Sequence, residues 1–219
     1  MPDFSDVVAA PGGKPETRAA VLAARRALSA AARASAAASI QVALADVVRR
    51  RRPTLVTAYA PIGPEPGGPD LPAVLAGALP PGGRLLLPIL LPDLDLDWAD
   101  YRGDEPLVAT ERGLREPAGG RLGVGAVARA SLVVVPAVAV DPTGTRLGRG
   151  GGSFDRALAR VGSEALVVAP LYDGELVDAL HAEPHDRRVD AVVTPGAGLI
   201  HLGPRRGGGA HTAGRDRVG

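Results

Sequence analysis

Several short runs, 54–59 (TLVTAY), 84–88 (RLLLP), 131–140 (SLVVVPAVAV), 165–169 (ALVVA) and 190–194 (DAVVT), are nearly continuous in Val, Leu and Ala. A strand with one wet face alternates apolar and polar residues, so runs of this kind predict strands covered on both faces. Between them lie stretches of helical spacing. The first starts at Pro15, carries an apolar stripe of Val21, Leu22, Leu28, Ile40, Leu44 and Val47 or Val48, and is expected to continue to about Arg51, where Pro53 stops it. Shorter helices are expected over 71–79, 153–161 and 174–180. Buried strands alternating with helices predict an α/β fold, a three-layer sandwich with a mainly parallel sheet and helices on both faces.

The 219 residues, 46% of them hydrophobic, suffice for one substantial core. We expect a single domain over 14–202, a flexible start over 1–13 and a disordered tail over 203–219, where apolar residues are almost absent. The balance of 25 basic against 24 acidic residues argues against a broad nucleic-acid surface. Arg49 to Arg52 reads as a basic helix C-terminus, favourable to the helix dipole. Cysteine is absent, which excludes disulfides, thiolate catalysis and Cys-based metal sites. No apolar stretch approaches the roughly 20 residues of a membrane span, and Asp3 and Asp6 stand where a secretory signal is basic. The expectation is a cytoplasmic monomer with a small-molecule substrate and neither a membrane nor a nucleic-acid partner.

Chemistry concentrates in 141–156, DPTGTRLGRGGGSFDR, which leaves the end of an expected buried strand. Glycine lets backbone N–H groups approach an anion closely, and arginine adds planar, permanently charged donors suited to phosphate oxygens. Ser153 is expected to cap the helix that follows, whose first amides would also favour an anion. The order of residues fits neither GxxxxGK[ST] nor a dinucleotide fingerprint. Trp98 and Tyr101, in the segment 94–101, are candidates to line a flat aromatic ligand. Only one of the 25 basic residues is a lysine, Lys14.

The segment resembles the signature of the 5-formyltetrahydrofolate cyclo-ligase family, roughly D-x-x-G-x-R-L-G-x-G-x-G-[YFS]-[YF]-D-R after a strand ending in V-P, here Val135-Pro136. Lys14 and Arg18, followed by Arg25-Arg26, are similar to its opening helix. Tyr59-Ala-Pro61 with Glu65 resembles its first strand and substrate-side glutamate; Glu116-Pro117 and Glu183-Pro-His185-Asp186 resemble later segments. The pattern departs at Arg149 and Ser153, where aromatics are common, and just after Glu65.

The resemblance implies ATP-driven cyclisation of 5-formyltetrahydrofolate, with Mg²⁺ as the metal. Lys14 and Arg146 would be catalytic. Lys14, Arg18, Arg146, Leu147, Gly148, Arg149, Gly150, Gly151, Gly152, Ser153, Phe154 and Arg156 would surround the nucleotide. Tyr59, Glu65, Trp98 and Phe154 would hold the folate, and Asp155 and Asp190 the metal. Competing readings are another phosphate- or coenzyme A-handling α/β enzyme, and a non-catalytic module that binds RNA or a protein partner.

Overall fold

The computed structural model describes residue 8, residues 12–181 and residues 187–203. In chain order the elements are α1 (Lys14–Ala27), α2 (Ala30–Arg51), β1 (Leu55–Thr57), α3 (Leu71–Ala78), β2 (Arg84–Leu90), β3 (Leu96–Tyr101), β4 (Val108–Ala109), β5 (Arg115–Glu116), a 3₁₀ turn (Val124–Arg129), β6 (Leu132–Val134), β7 (Ala139–Val140), β8 (Arg146–Leu147), α4 (Ser153–Ala159), β9 (Leu166–Pro170), β10 (Ala191–Thr194) and β11 (Gly198–His201). A seven-stranded sheet of order β11-β10-β9-β6-β1-β2-β3 forms the middle layer. Its inner strands run parallel, and the edge strands β3 and β11 are antiparallel.

Both faces are buried, as the apolar runs require. Along β6, Val133 joins Ala157 and Leu158 of α4 and Val127 of the 3₁₀ turn. Its neighbours Leu132 and Val134 join Ile40, Leu44 and Val48 of α2 and Leu71 and Leu75 of α3 on the other face. The expected α/β sandwich is therefore present. By length and composition α2, at 22 residues, is apolar enough to cross a membrane, but Ile40, Leu44, Val47 and Val48 are buried in the core.

Differences from the sequence expectation have local causes. The long first helix is two helices, because Leu28 turns extended and Ser29 accepts from Ala32 N at 3.1 Å, which caps a new start. Arg52, left-handed at φ 48, then ends α2. The run 131–140 splits at Pro136, where the missing N–H cannot extend the ladder; β6 stays in the sheet, and β7 leaves to pair with β8. The expected helix at 174–180 is extended chain, in which Leu176 bridges Val140 and Val177 bridges Val8. Trp98 and Tyr101, candidates to line a flat ligand, lie in the edge strand β3 and are both buried. The resemblance at 183–186, the expected tail over 203–219 apart from Gly203, and the expected flexible start over 1–13 apart from residues 8, 12 and 13 lie outside the described residues.

The topology fixes where a ligand belongs. The chain passes from β1 outward to β2, and from β6 in the opposite direction to β9, so the order reverses between β1 and β6. In open α/β sheets the crevice at the carboxyl ends of such strands receives ligands.

The break between α1 and α2 generates a test. Ser29→Ala should destabilise the protein by about 1 kcal/mol through loss of the cap, measured by urea unfolding. In an uninterrupted helix the same change would stabilise, because alanine has the higher helix propensity.

Candidate active site

A pocket opens at this reversal. It is lined by Tyr59, Ala60, Ile62 and Glu65 after β1, by Pro88 and Leu90 of β2, by Leu114 to Glu116, by Pro136 and Ala137 after β6, and by Arg146 and 148–155.

The glycine-rich loop is shaped from its first residue. Asp141 is buried, and its Oδ1 accepts from Thr143 N at 2.9 Å, Thr143 Oγ1 at 2.7 Å and Thr145 N at 2.9 Å. Its Oδ2 accepts from Leu180 N at 3.1 Å. This closes a tight turn whose apex, Gly144, has φ +85 and approaches Val189 so closely that an added Cβ would lie 2.3 Å from that carbonyl oxygen. Only glycine fits there. The turn folds β8 back on β7 and brings Arg146 to the pocket, where its Nη1 donates to Pro136 O at 3.0 Å and its Nη2 to Asp155 Oδ1. Arg146 Nε is sealed and has no partner among the described residues. Gly152, with φ +71, serves as the N-cap of α4, so Ser153 is the first helical residue and not the cap.

The helix α1 reaches the same loop from outside. Arg18 Nε donates to Gly148 O at 3.0 Å, and Lys14, one turn earlier and half-buried, lies on the same side. From the opposite wall, Glu65 Oε1 meets Arg149 Nη1 at 3.2 Å while its Oε2 accepts from Ile62 N at 3.0 Å. The Glu65 side chain is 10% exposed and that of Arg149 52%. Burial raises the Glu65 pKa, and the Ile62 amide, Arg149 and Arg25 pull it back in part. The Tyr59 hydroxyl is committed to Pro66 O at 2.8 Å, and burial, with Glu65 second, holds its pKa well above the usual range. Phe154, half-buried, lines the pocket and packs on both core clusters.

Several expected site residues lie elsewhere. Trp98 is 1% exposed within the core beside α4, so it cannot meet a ligand in the pocket. Leu147 packs against Val21, Val138 and Val177 on the far side of β8. Arg156 runs outside the pocket, to Gly151 O at 3.5 Å and Asp93 O at 3.2 Å. Asp190 accepts from Val167 N at 2.8 Å at the amino ends of β9 and β10, a strand length away from the carboxyl-end crevice. It cannot share a metal with Asp155. No cluster of three His, Cys, Asp or Glu occurs among the described residues. Mg²⁺ needs only one or two carboxylates beside phosphates and water. Asp155 can offer one such carboxylate, since its side chain is 37% exposed and its second oxygen lies outside the Arg146 pair.

Sequence reading missed a buried ion pair at the pocket floor. Arg25 donates from Nε and Nη2 to the two carboxylate oxygens of Glu175, each at 2.7 Å, and from Nη2 to Ala137 O at 2.7 Å. Glu175 also accepts from Tyr172 N at 2.8 Å. Burial raises the Glu175 pKa and Arg25 opposes it; burial would lower the Arg25 pKa, but the carboxylate outweighs it and the guanidinium stays charged. The available signal was helical spacing, since Lys14, Arg18 and Arg25 fall on one face of α1. Glu116, with no task evident from sequence, accepts from Leu90 N at 3.0 Å and fixes the wall of the pocket. Beside it, Arg115 donates to Pro69 O at 2.9 Å.

The arrangement is a glycine-rich cradle with arginines at one end and a buried carboxylate at the other. The likeness to known proteins extends over most of the chain. The sequence profile of the 5-formyltetrahydrofolate cyclo-ligase family matches residues 11–195. A 5-formyltetrahydrofolate cyclo-ligase of Mycolicibacterium smegmatis is 39% identical over 197 residues, which cover 88% of this chain and 98% of that protein. The solution structure of 5,10-methenyltetrahydrofolate synthetase from Aquifex aeolicus superposes with a TM-score of 0.72 at 26% identity, covering 91% of this chain and 97% of the other. A 5,10-methenyltetrahydrofolate synthetase from Mycoplasma pneumoniae shares the fold, with a TM-score of 0.64 at 19% identity over 82% of this chain and 96% of its own. With a family match from the first helix to the last parallel strand, the chain is an enzyme of the 5-formyltetrahydrofolate cyclo-ligase family.

Proposed function

We propose that the enzyme cyclises 5-formyltetrahydrofolate to 5,10-methenyltetrahydrofolate with ATP, releasing ADP and phosphate. The observation that carries this reading is the contact between Arg149 of the glycine-rich loop and Glu65 of the opposite wall. A phosphate held by the first and a pterin edge held by the second would place a terminal phosphoryl group beside a formyl group on N5.

The chemistry needs that adjacency. A formamide oxygen is a poor leaving group, so its lone pair first attacks the γ-phosphorus and displaces ADP, while the N5 lone pair shifts toward carbon. N10 then attacks the activated carbon, the C–O bond breaks with loss of phosphate, and the N10 proton leaves to solvent. The protein's task is positioning and electrostatics, without a side-chain nucleophile. In this reading Arg149, Lys14, Arg18 and the amides of 148–154 hold the phosphates. Arg146 orients Asp155, which with phosphate oxygens and water would hold Mg²⁺; when bound, the ion supplies charge neutralisation at the transferring group. Glu65 accepts from the amino-pyrimidine edge, and Phe154 with Leu90 and Leu114 encloses the ring. We take the enzyme to act as a cytoplasmic monomer without nucleic-acid or membrane partners.

Mixing the protein with 5-formyltetrahydrofolate and Mg-ATP should generate the methenyl chromophore in the near ultraviolet; no absorbance change would refute the reading. Lys14→Ala should lower kcat/KM for ATP on the order of 10²-fold, with an unfolding midpoint close to that of the parent. A pH profile gives a separate check. Glu65 must be ionised to accept from the pterin, and its raised pKa means that activity falls as pH drops through that value. Arg149→Ala removes one influence that lowers the pKa, so the acid limb of kcat/KM for the folate should move to higher pH. An unmoved limb would exclude Glu65 as the group that titrates.

A further inference from the structure

A guanidinium carries five N–H donors on three nitrogens. Those of Arg25 are only partly engaged: Nε and Nη2 serve Glu175, Ala137 and Val138, and Nη1 has no hydrogen-bond partner among the described residues. The residue as a whole is 2% exposed. The buried nitrogens and oxygens that are both sealed and unpartnered are Thr57 Oγ1, Trp98 Nε1, Arg146 Nε and Arg187 Nε among the described residues. Arg25 Nη1 is not one of them, so the sliver of surface that Arg25 keeps lies toward the pocket it lines.

Its position in that pocket is central. Arg25 and Arg146 take the carbonyls of successive residues, Ala137 and Pro136. On the other side Arg25 is close enough to Tyr59 and Glu65 to act on both electrostatically. It therefore stands between the phosphate end and the folate end. Glu175 holds both Nε and Nη2, and the Tyr172 ring lies 5.8 Å from Cζ, so the plane of the guanidinium is fixed and Nη1 has one direction to point.

We propose that Arg25 is a ligand-contacting residue whose Nη1 donates to an acceptor oxygen at the junction of the two substrates, in addition to anchoring α1. This rests on the function proposed above. The oxygen is either that of the transferring phosphoryl group or the ring carbonyl of the pterin next to the edge held by Glu65. A donor already oriented in a closed site acts on such an oxygen without reorganisation.

The test must keep the anchor intact, because removing Arg25 alone leaves Glu175 buried and unpaired. Arg25→Met with Glu175→Gln removes both charges and retains an acceptor for Tyr172 N. As a second variant, Arg25→Lys keeps the charge beside Glu175 but loses the fork. Mg-ADP affinity reports whether α1 and the glycine-rich loop remain in place, since ADP reaches neither the transferred group nor the folate. For either variant that folds, kcat should fall on the order of 10²-fold while the Mg-ADP dissociation constant stays within about twofold of the parent. A weakened affinity for 5-formyltetrahydrofolate without nucleotide assigns the oxygen to the pterin; an unchanged affinity assigns it to the phosphoryl group. Turnover equal to the parent would overturn the proposal, as would Mg-ADP affinity lost in step with turnover, which would make Arg25 an anchor alone. A parent enzyme that forms no methenyl product would refute the proposed function instead.

Discussion

The break in the sheet at Pro136 organises the rest of the site. Proline cannot donate to the ladder, so β6 ends there and the following residues leave the sheet with carbonyls to be satisfied. Arginines satisfy them: Arg146 takes Pro136 O, and Arg25 takes Ala137 O and approaches Val138 O at 3.4 Å. Unmet acceptors at a strand end thereby draw two cations to the crevice where the sheet reverses direction. The same break releases β7 to form the hairpin whose exit is the glycine-rich loop.

Charge in the pocket is arranged as pairs. Arg25 with Glu175 is fully buried and doubly bonded, whereas Arg149 with Glu65 spans the opening with one partner largely in solvent. The first is rigid and expensive to break; the second is weak because water competes for Arg149. Arg146 with Asp155 lies between these extremes, one side chain buried and the other partly open. The pocket thus combines a fixed floor with an opening whose cation and acid can each exchange its partner for a ligand.

Much of the fold was legible because burial on both faces leaves a plain trace in a strand. Helix α3 and strands β1, β2, β9 and β10 fall within a few residues of their expected places. The failures share a cause. Ser29 interrupts a helical stripe and Pro136 an apolar run, and the period of a stretch is blind to one cap or one missing donor. The segment 174–180 has helical spacing, yet its backbone bonds to Val8 and Val140, and its glutamate turns inward to Arg25. Long-range partners overrode local preference there. Trp98 and Asp190 were credible ligands by type, but one faces the core of an edge strand and the other lies at the wrong end of a parallel strand.

The order of residues by itself determined that the chain has an α/β core and pointed to 141–156, where a glycine- and arginine-rich loop leaves a buried strand, because apolar runs, glycines and arginines each carry a local physical constraint. Only the tertiary structure decided which side chains share the crevice. Arg25 and Glu175 are 150 positions apart, and Glu65 and Arg149 are 84 apart. Such pairs follow from strand order and helix docking, which depend on the summed packing of the whole core and leave no mark on the residues next to them in sequence.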